Sequence, residues 1–245
     1  LMVPLLVIAV GMFLVPLRAG AVIEAAGEGL GYDMNHPFAV AARHTLMTVA
    51  QGAALIVLTL RRVTGRSGLS LPKSSLGLRR EGWRAEVDTG LRWGVLVLIV
   101  NMATAWLVRP LYRLFMSEEA FQTQMRLETG EFGWLAAQGA PGWILGLFVF
   151  VAVVLAPVSE ELFFRGYLHA VFRHRAPGHA LFLSSLVFAA LHLYIIHFVP
   201  VFFIGLLLAA LYERRGSLIA PIVAHAFSNG VVALVSLLQG WLQAG

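Results

Sequence analysis

The sequence predicts an all-α protein, a polytopic transmembrane bundle of about seven to eight helices with a polar intramembrane cavity. Three observations carry this. Of 245 residues, 59% are hydrophobic and only 13% charged, whereas soluble domains carry about 25% charged residues. The apolar residues gather into about seven stretches, most of them near the roughly 20 residues that a membrane helix needs. The basic residues between those stretches alternate in number from one side to the other, as orientation in a bilayer requires.

In chain order, residues 1–17 read as a first span weakened at its ends by Pro4 and Pro16. They lack the basic start and small-residue cleavage site of a signal peptide. Residues 18–37 are Gly-rich and mildly acidic, a loop. The second span covers 38–60. Residues 61–89 are polar and basic, interrupted by Gly65, Gly68, Pro72 and Gly77, which act as breakers. A third span covers 90–108, and the mixed-charge stretch 109–140 holds an amphipathic helix. Four more spans follow at 142–172, 179–196, 198–212 and 218–239. With no internal repeat and no low-complexity tract, residues 1–245 read as one integral-membrane domain.

Loops 61–89, 173–178 and 213–217 hold eleven Lys or Arg, and the opposite set holds four. The first set is therefore expected to be cytoplasmic. The net charge of +5 comes from 17 arginines and one lysine. Arg-rich loops of this kind report orientation and contact with anionic lipid, so membrane lipids and not nucleic acid are the expected partners. The absence of cysteine excludes disulfides, thiolate metal sites and a cysteine nucleophile. The Arg, Ala, Gly, Leu and Val bias suggests a bacterial source, and hence a bacterial inner membrane.

Three polar signatures interrupt the last four spans: Glu160-Glu161-x-x-x-Arg165, Phe188-x-x-x-His192 and His225-x-x-x-Asn229. A carboxylate in hydrocarbon costs at least ~2.5–3.5 kcal/mol, so such groups face a bundle interior, find partners and mark function. Residues four apart share a helix face. That spacing allows a Glu161–Arg165 ion pair and aims His225 and Asn229 the same way. Glu160, about 100° around the helix from Glu161, faces a different space. At about 1.5 Å per residue from the nearest cytoplasmic end, Glu160 lies roughly 18 Å deep, His192 roughly 20 Å, and His225 and Asn229 roughly 10–16 Å. Overlapping depths on three helices predict one polar cavity in the cytoplasmic half of the bilayer.

In this order the three motifs resemble the signature of the CAAX prenyl protease and bacteriocin-processing (CPBP, or Abi) family of intramembrane proteases. The likeness covers residues 157–230, and the segment Gly216-Ser217 to Pro221 before His225 adds to it. The resemblance implies a protease core of about 140–240 and an endopeptidase acting on membrane-associated or lipidated, CAAX-like peptides. It implies that Glu160 and His192 activate water and that His225 and Asn229 stabilise the oxyanion. Glu161 and Arg165 then support Glu160, and Phe188 shapes the cavity. No cofactor is favoured. Zinc is the open alternative, held by Glu160, His192 and His225 with a free fourth position, although the His-Glu-x-x-His zinc helix is absent. A non-catalytic bacteriocin-immunity or scaffold protein of the same fold is the alternative function.

The remaining polar residues read as structural. Arg43 and His44 snorkel at a span end, and Asn101 bonds a neighbouring helix. His169, His174 and His179 flank a loop and are expected to be solvated. Gly65-Arg66-Ser67-Gly68 imitates a serine-protease motif within a polar loop, and no Gly-x-Gly-Asp of an aspartyl intramembrane protease is present.

Overall fold

A computed structural model describes residues 14–31, 33, 36–64 and 82–244, and every regular element among them is helical. In chain order these are α1 (Val15–Gly29), α2 (Pro37–Thr64), α3 (Trp83–Phe115), α4 (Glu118–Thr129) and α5 (Glu131–Ala137). There follow α6 (Gly142–Arg175), α7 (Ala180–Leu191), α8 (Phe198–Arg215) and α9 (Ile219–Ala244). Four described helices are long and apolar enough to cross a membrane: Ala39–Arg61, Trp83–Phe115, Gly142–Arg175 and Ile219–Ala244.

Four of the seven expected spans, 38–60, 90–108, 142–172 and 218–239, thus have such a helix among the described residues. Most of the 1–17 span and the Gly65–Gly68 motif lie outside those residues. Residues 18–29 are helix, not loop. Pro16 sits in the first turn of α1, where its missing N–H costs nothing, and Glu24 on that helix pairs with Arg43 on α2 at 3.4 Å. The 179–196 stretch is helical only over Ala180–Leu191. At 12 residues it is about 18 Å long, against a hydrocarbon core of about 30 Å. It ends at His192, and Leu193 follows in the left-handed region with φ 56°. The amphipathic helix expected within 109–140 is α4. Ser117 caps it, accepting from the Ala120 N–H at 3.2 Å, with Glu118 and Glu119 in its first turn, where the helix dipole favours acids.

The chain divides into two compact units. One comprises Leu1–Leu71, Phe132–Phe163 and Gly230–Gly245, the other Pro72–Glu131 and Phe164–Asn229. In the first unit, small residues set helix spacing. A Cβ at Gly20 would lie 2.8 Å from Met47 Sδ, and one at Gly52 would lie 3.2 Å from Ser159 Oγ. A Cβ at Gly240 would collide with the Gly133 carbonyl. Leu135, Ala136, Leu145, Phe148 and Leu237 close an apolar core in the same unit.

In the second unit, Val97, Leu208, Leu211, Ala220 and Ala224 form the core. Gly90 and Gly94, one turn apart on α3, receive α9. A Cβ at Gly90 would lie 2.7 Å from both the Ala220 carbonyl oxygen and Val223 Cβ, and one at Gly94 would lie 2.8 Å from Phe227 Cδ1. This small-x-x-x-small stripe lets two membrane helices approach closely. The Ala220 backbone cannot yield as a flexible side chain would, so Gly90→Ala is expected to destabilise the protein by about 1–3 kcal/mol. Unfolding in mixed micelles measures this.

α8 stops at Gly216, which adopts φ 61° and donates its N–H to Tyr212 O at 2.8 Å, the left-handed cap for which glycine is best suited.

Candidate active site

Glu160 and Glu161 stand on the α-helical stretch Ala156–Phe163 of α6, in the first unit. A π-helical turn, Val151–Leu155, precedes that stretch and another, Phe164–Leu168, follows it. The first turn has a visible cause. Pro157 has no N–H to offer the preceding turn, and just before it the Ala156 N–H reaches back five residues to Val151 O. π turns inside α-helices are rare and gather at functional sites. Glu161 is fully buried, and Glu160 is half-buried. Arg165 lies in the second π turn, so the α-helical spacing assumed between it and Glu161 does not strictly apply.

In the second unit, Arg165 is 1% exposed. Its Nη2 donates to Gly205 O at 3.0 Å, and its guanidinium carbon lies 4.5 Å from the Phe188 ring centroid. Gly205 makes this approach possible, since a Cβ there would lie 3.1 Å from Ser185 Cβ and 3.2 Å from Phe188 Cδ1. Phe188 is the hub of the unit. Its ring centroid lies 4.6 Å from that of His192, 6.0 Å from that of His225 and 4.9 Å from that of Phe164. The structure therefore brings Arg165, Phe188, His192 and His225 together around one buried ring. Asn229, half-buried, follows His225 by one turn of α9.

The His192 tautomer follows from its partner. Nδ1 lies 2.7 Å from Phe188 O, and a carbonyl oxygen only accepts. Nδ1 must therefore carry a proton, which fixes the orientation of the ring and turns Nε2 away from that carbonyl. His192 is half-buried and closes the C-terminal end of α7, whereas His225 is 6% exposed. Nε2 of His192 and the His225 imidazole are the nitrogen donors that this unit would offer a metal. Among the described residues no group of three or more His, Asp or Glu side chains is arranged to hold one.

Two features escaped the sequence reading. His169 is fully buried, not solvated. Its Nδ1 lies 3.0 Å from Ser184 Oγ and its Nε2 lies 3.0 Å from Glu213 Oε1. The grouping resembles a Ser-His-Glu triad, but Ser184 is 3% exposed and its hydroxyl is bonded to Leu181 O at 3.2 Å. It ties α6, α7 and α8 together. Partners on three separate helices left no local spacing by which to find it.

The second is Glu128, near the end of α4. Its carboxylate accepts from the backbone N–H groups of Ile195 (2.7 Å), Ile196 (3.0 Å) and His197 (2.9 Å). It also accepts from His197 Nδ1 and Gln124 Nε2, each at 2.7 Å. Burial pushes this carboxyl up, but the hydrogen bonds from Gln124, Ile196 and His197 outweigh it and hold it below the ordinary 4.5. A carboxyl depressed on folding stabilises the fold above its unfolded value, and the stability is lost as pH falls through the folded value. Amide protection at Ile195–His197, corrected for intrinsic exchange, should therefore hold above pH 4.5 and fall below it.

Helices built to cross a bilayer, carrying buried acidic, basic and imidazole groups, define an integral membrane protein with a polar site. Comparison with known proteins makes this more specific. The family model described as type II CAAX prenyl endopeptidase, Rce1-like, matches residues 141–231; that segment carries the family's domain and includes Glu160, Glu161, Arg165, Phe188, His192, His225 and Asn229. No curated protein and no solved structure matches the chain.

Proposed function

We propose that this protein is an intramembrane endopeptidase that hydrolyses membrane-associated or lipidated, CAAX-like peptides. Glu160 takes a proton from water as it adds to the scissile carbonyl, and the His192 imidazole helps to activate that water. His225, through a ring N–H, and Asn229, through its NH₂, hold the oxyanion as it forms. The proton then passes to the departing amine. Glu161 and Arg165 position Glu160, and Phe188 walls the site.

The observation that carries this reading is the gathering of Arg165, His192 and His225 around Phe188, inside the segment that matches a peptidase family. In this reading residues 1–245 form one integral-membrane domain of seven to eight helices with a polar cavity. It resides in a bacterial inner membrane, the core spans about 140–240, and the site opens toward the cytoplasm.

The test is a comparison of peptide termini in membranes from cells expressing wild-type protein or His192→Ala at matched levels. New termini seen only with wild type would name substrates. Identical termini would favour a non-catalytic immunity or scaffold protein. In this reading no cofactor is favoured and catalysis proceeds without a metal. Dialysis of purified enzyme against excess chelator is expected to leave the rate within about twofold, since loss of a catalytic metal would remove several kcal/mol of transition-state stabilisation. A zinc-dependent loss restored by zinc would instead assign Glu160, His192 and His225 as ligands.

A further inference from the structure

Helix α7 is about 18 Å long and ends at His192. The chain must turn there and start α8 at Phe198. A helix start leaves backbone N–H groups with no partner inside the helix. Buried backbone donors persist only where protein or water satisfies them. Here a single side chain does so. Glu128 takes three consecutive N–H groups of the turn and the His197 ring, with Gln124 bonded to the same carboxylate. Its side chain is 3% exposed, yet each oxygen has at least two donors, so the buried charge is well satisfied. Tyr112 on α3 holds the other side of the turn, donating its OH to Ile195 O at 2.6 Å.

The clamp reaches His192 along the chain and through edge-on and tilted ring contacts. Leu193 is strained at φ 56°, a conformation that costs a branched L-residue energy and persists only where its surroundings impose it. The Tyr194 ring lies 6.2 Å from the His197 ring on one side and 5.6 Å from the His192 ring on the other. Glu128, His197, Tyr194 and His192 thus form one packed series within the second unit.

We propose that Glu128 is the positioning residue of His192, a carboxylate that holds the His192–His197 turn so that the imidazole keeps its orientation. It touches neither substrate nor water in the reaction. The kinetic part rests on the peptidase reading above, and the structural part does not. Glu128→Gln keeps the length of the side chain but presents an NH₂ group to donors that need an acceptor. Glu128→Ala removes the clamp altogether.

Both variants, purified folded in detergent, are to be compared with wild type by amide exchange over residues 193–198 and by the ¹³C resonances of the His192 ring. Expected are faster exchange confined to that turn and a shifted or broadened His192 signal, larger for Ala than for Gln. For a cleaved peptide, kcat per folded molecule should fall by about 10²-fold in Glu128→Gln, as small misplacements of catalytic groups do. KM should stay within about threefold, and the limb of the pH–rate profile that reports His192 should move. A merely structural Glu128 would lower the folded fraction and leave kcat, the pH limb and the His192 resonance of the folded molecules unchanged, which overturns the proposal. If wild type cleaves nothing, the peptidase reading fails, and the exchange and resonance measurements still decide the role of Glu128. Should Glu128→Ala fail to fold, Glu128→Gln carries the test.

Discussion

Glu160→Gln is expected to lower the rate of peptide hydrolysis by about 10²–10⁴-fold, the range that positioned acid–base groups contribute, with the protein still folded. The substitution conserves shape and removes the ionisable proton site, so it separates chemistry from packing. Glu161 is the control. It is fully buried, and Glu161→Gln should appear in the folded fraction and melting temperature more than in the kcat of the molecules that do fold. Single-turnover cleavage by purified wild type and both variants distinguishes them. A Glu160→Gln enzyme with an unchanged rate per folded molecule would remove the central base from the proposed mechanism.

Arg165→Lys should be nearly as severe, through structure. The guanidinium does two things at once: it donates to Gly205 O at 3.0 Å and covers the face of Phe188 at 4.5 Å. A lysine ammonium is a point donor on a flexible stem and cannot reproduce a planar group stacked on a ring. A desolvated cation–ring contact contributes about 2 kcal/mol, and a hydrogen bond from a charged donor about 1.5–3 kcal/mol. Losing most of both would destabilise the protein by about 2–4 kcal/mol. Because Phe188 also packs against His192 and His225, kcat should fall in parallel with stability. Thermal unfolding in detergent and cleavage rates at a temperature where both proteins are folded measure the two effects. A Lys variant with wild-type melting and rate would show that neither contact matters.

Part of this site is visible in the chain alone because the medium makes polar residues conspicuous. Within otherwise apolar stretches, Glu160, Glu161, Arg165, His192, His225 and Asn229 stand out by cost alone. Their four-residue spacings are local and readable. The same cost picked out α2, α3, α6 and α9, whose lengths qualify them as spans.

Where hydropathy alone governed the reading, it misplaced boundaries. Leu193 to Ile196 are apolar or aromatic enough to extend a span, yet α7 stops at Leu191. Conversely, the Gly-rich residues after Pro16 form a helix that the composition had marked as loop, because packing of Gly20 against Met47 overrides a weak local propensity.

Sequence by itself determined the all-helical membrane character and the identity of the polar residues, since hydropathy and helical periodicity are properties of neighbouring residues. Only the tertiary structure decided what those residues touch. That Phe188 is the ring around which Arg165, His192 and His225 collect, that His169 is buried between Ser184 and Glu213, and that Glu128 clamps a turn 67 to 69 residues further on all depend on contacts between distant helices. Side chains far apart in sequence meet only when helix packing brings them together, and no local pattern records that meeting.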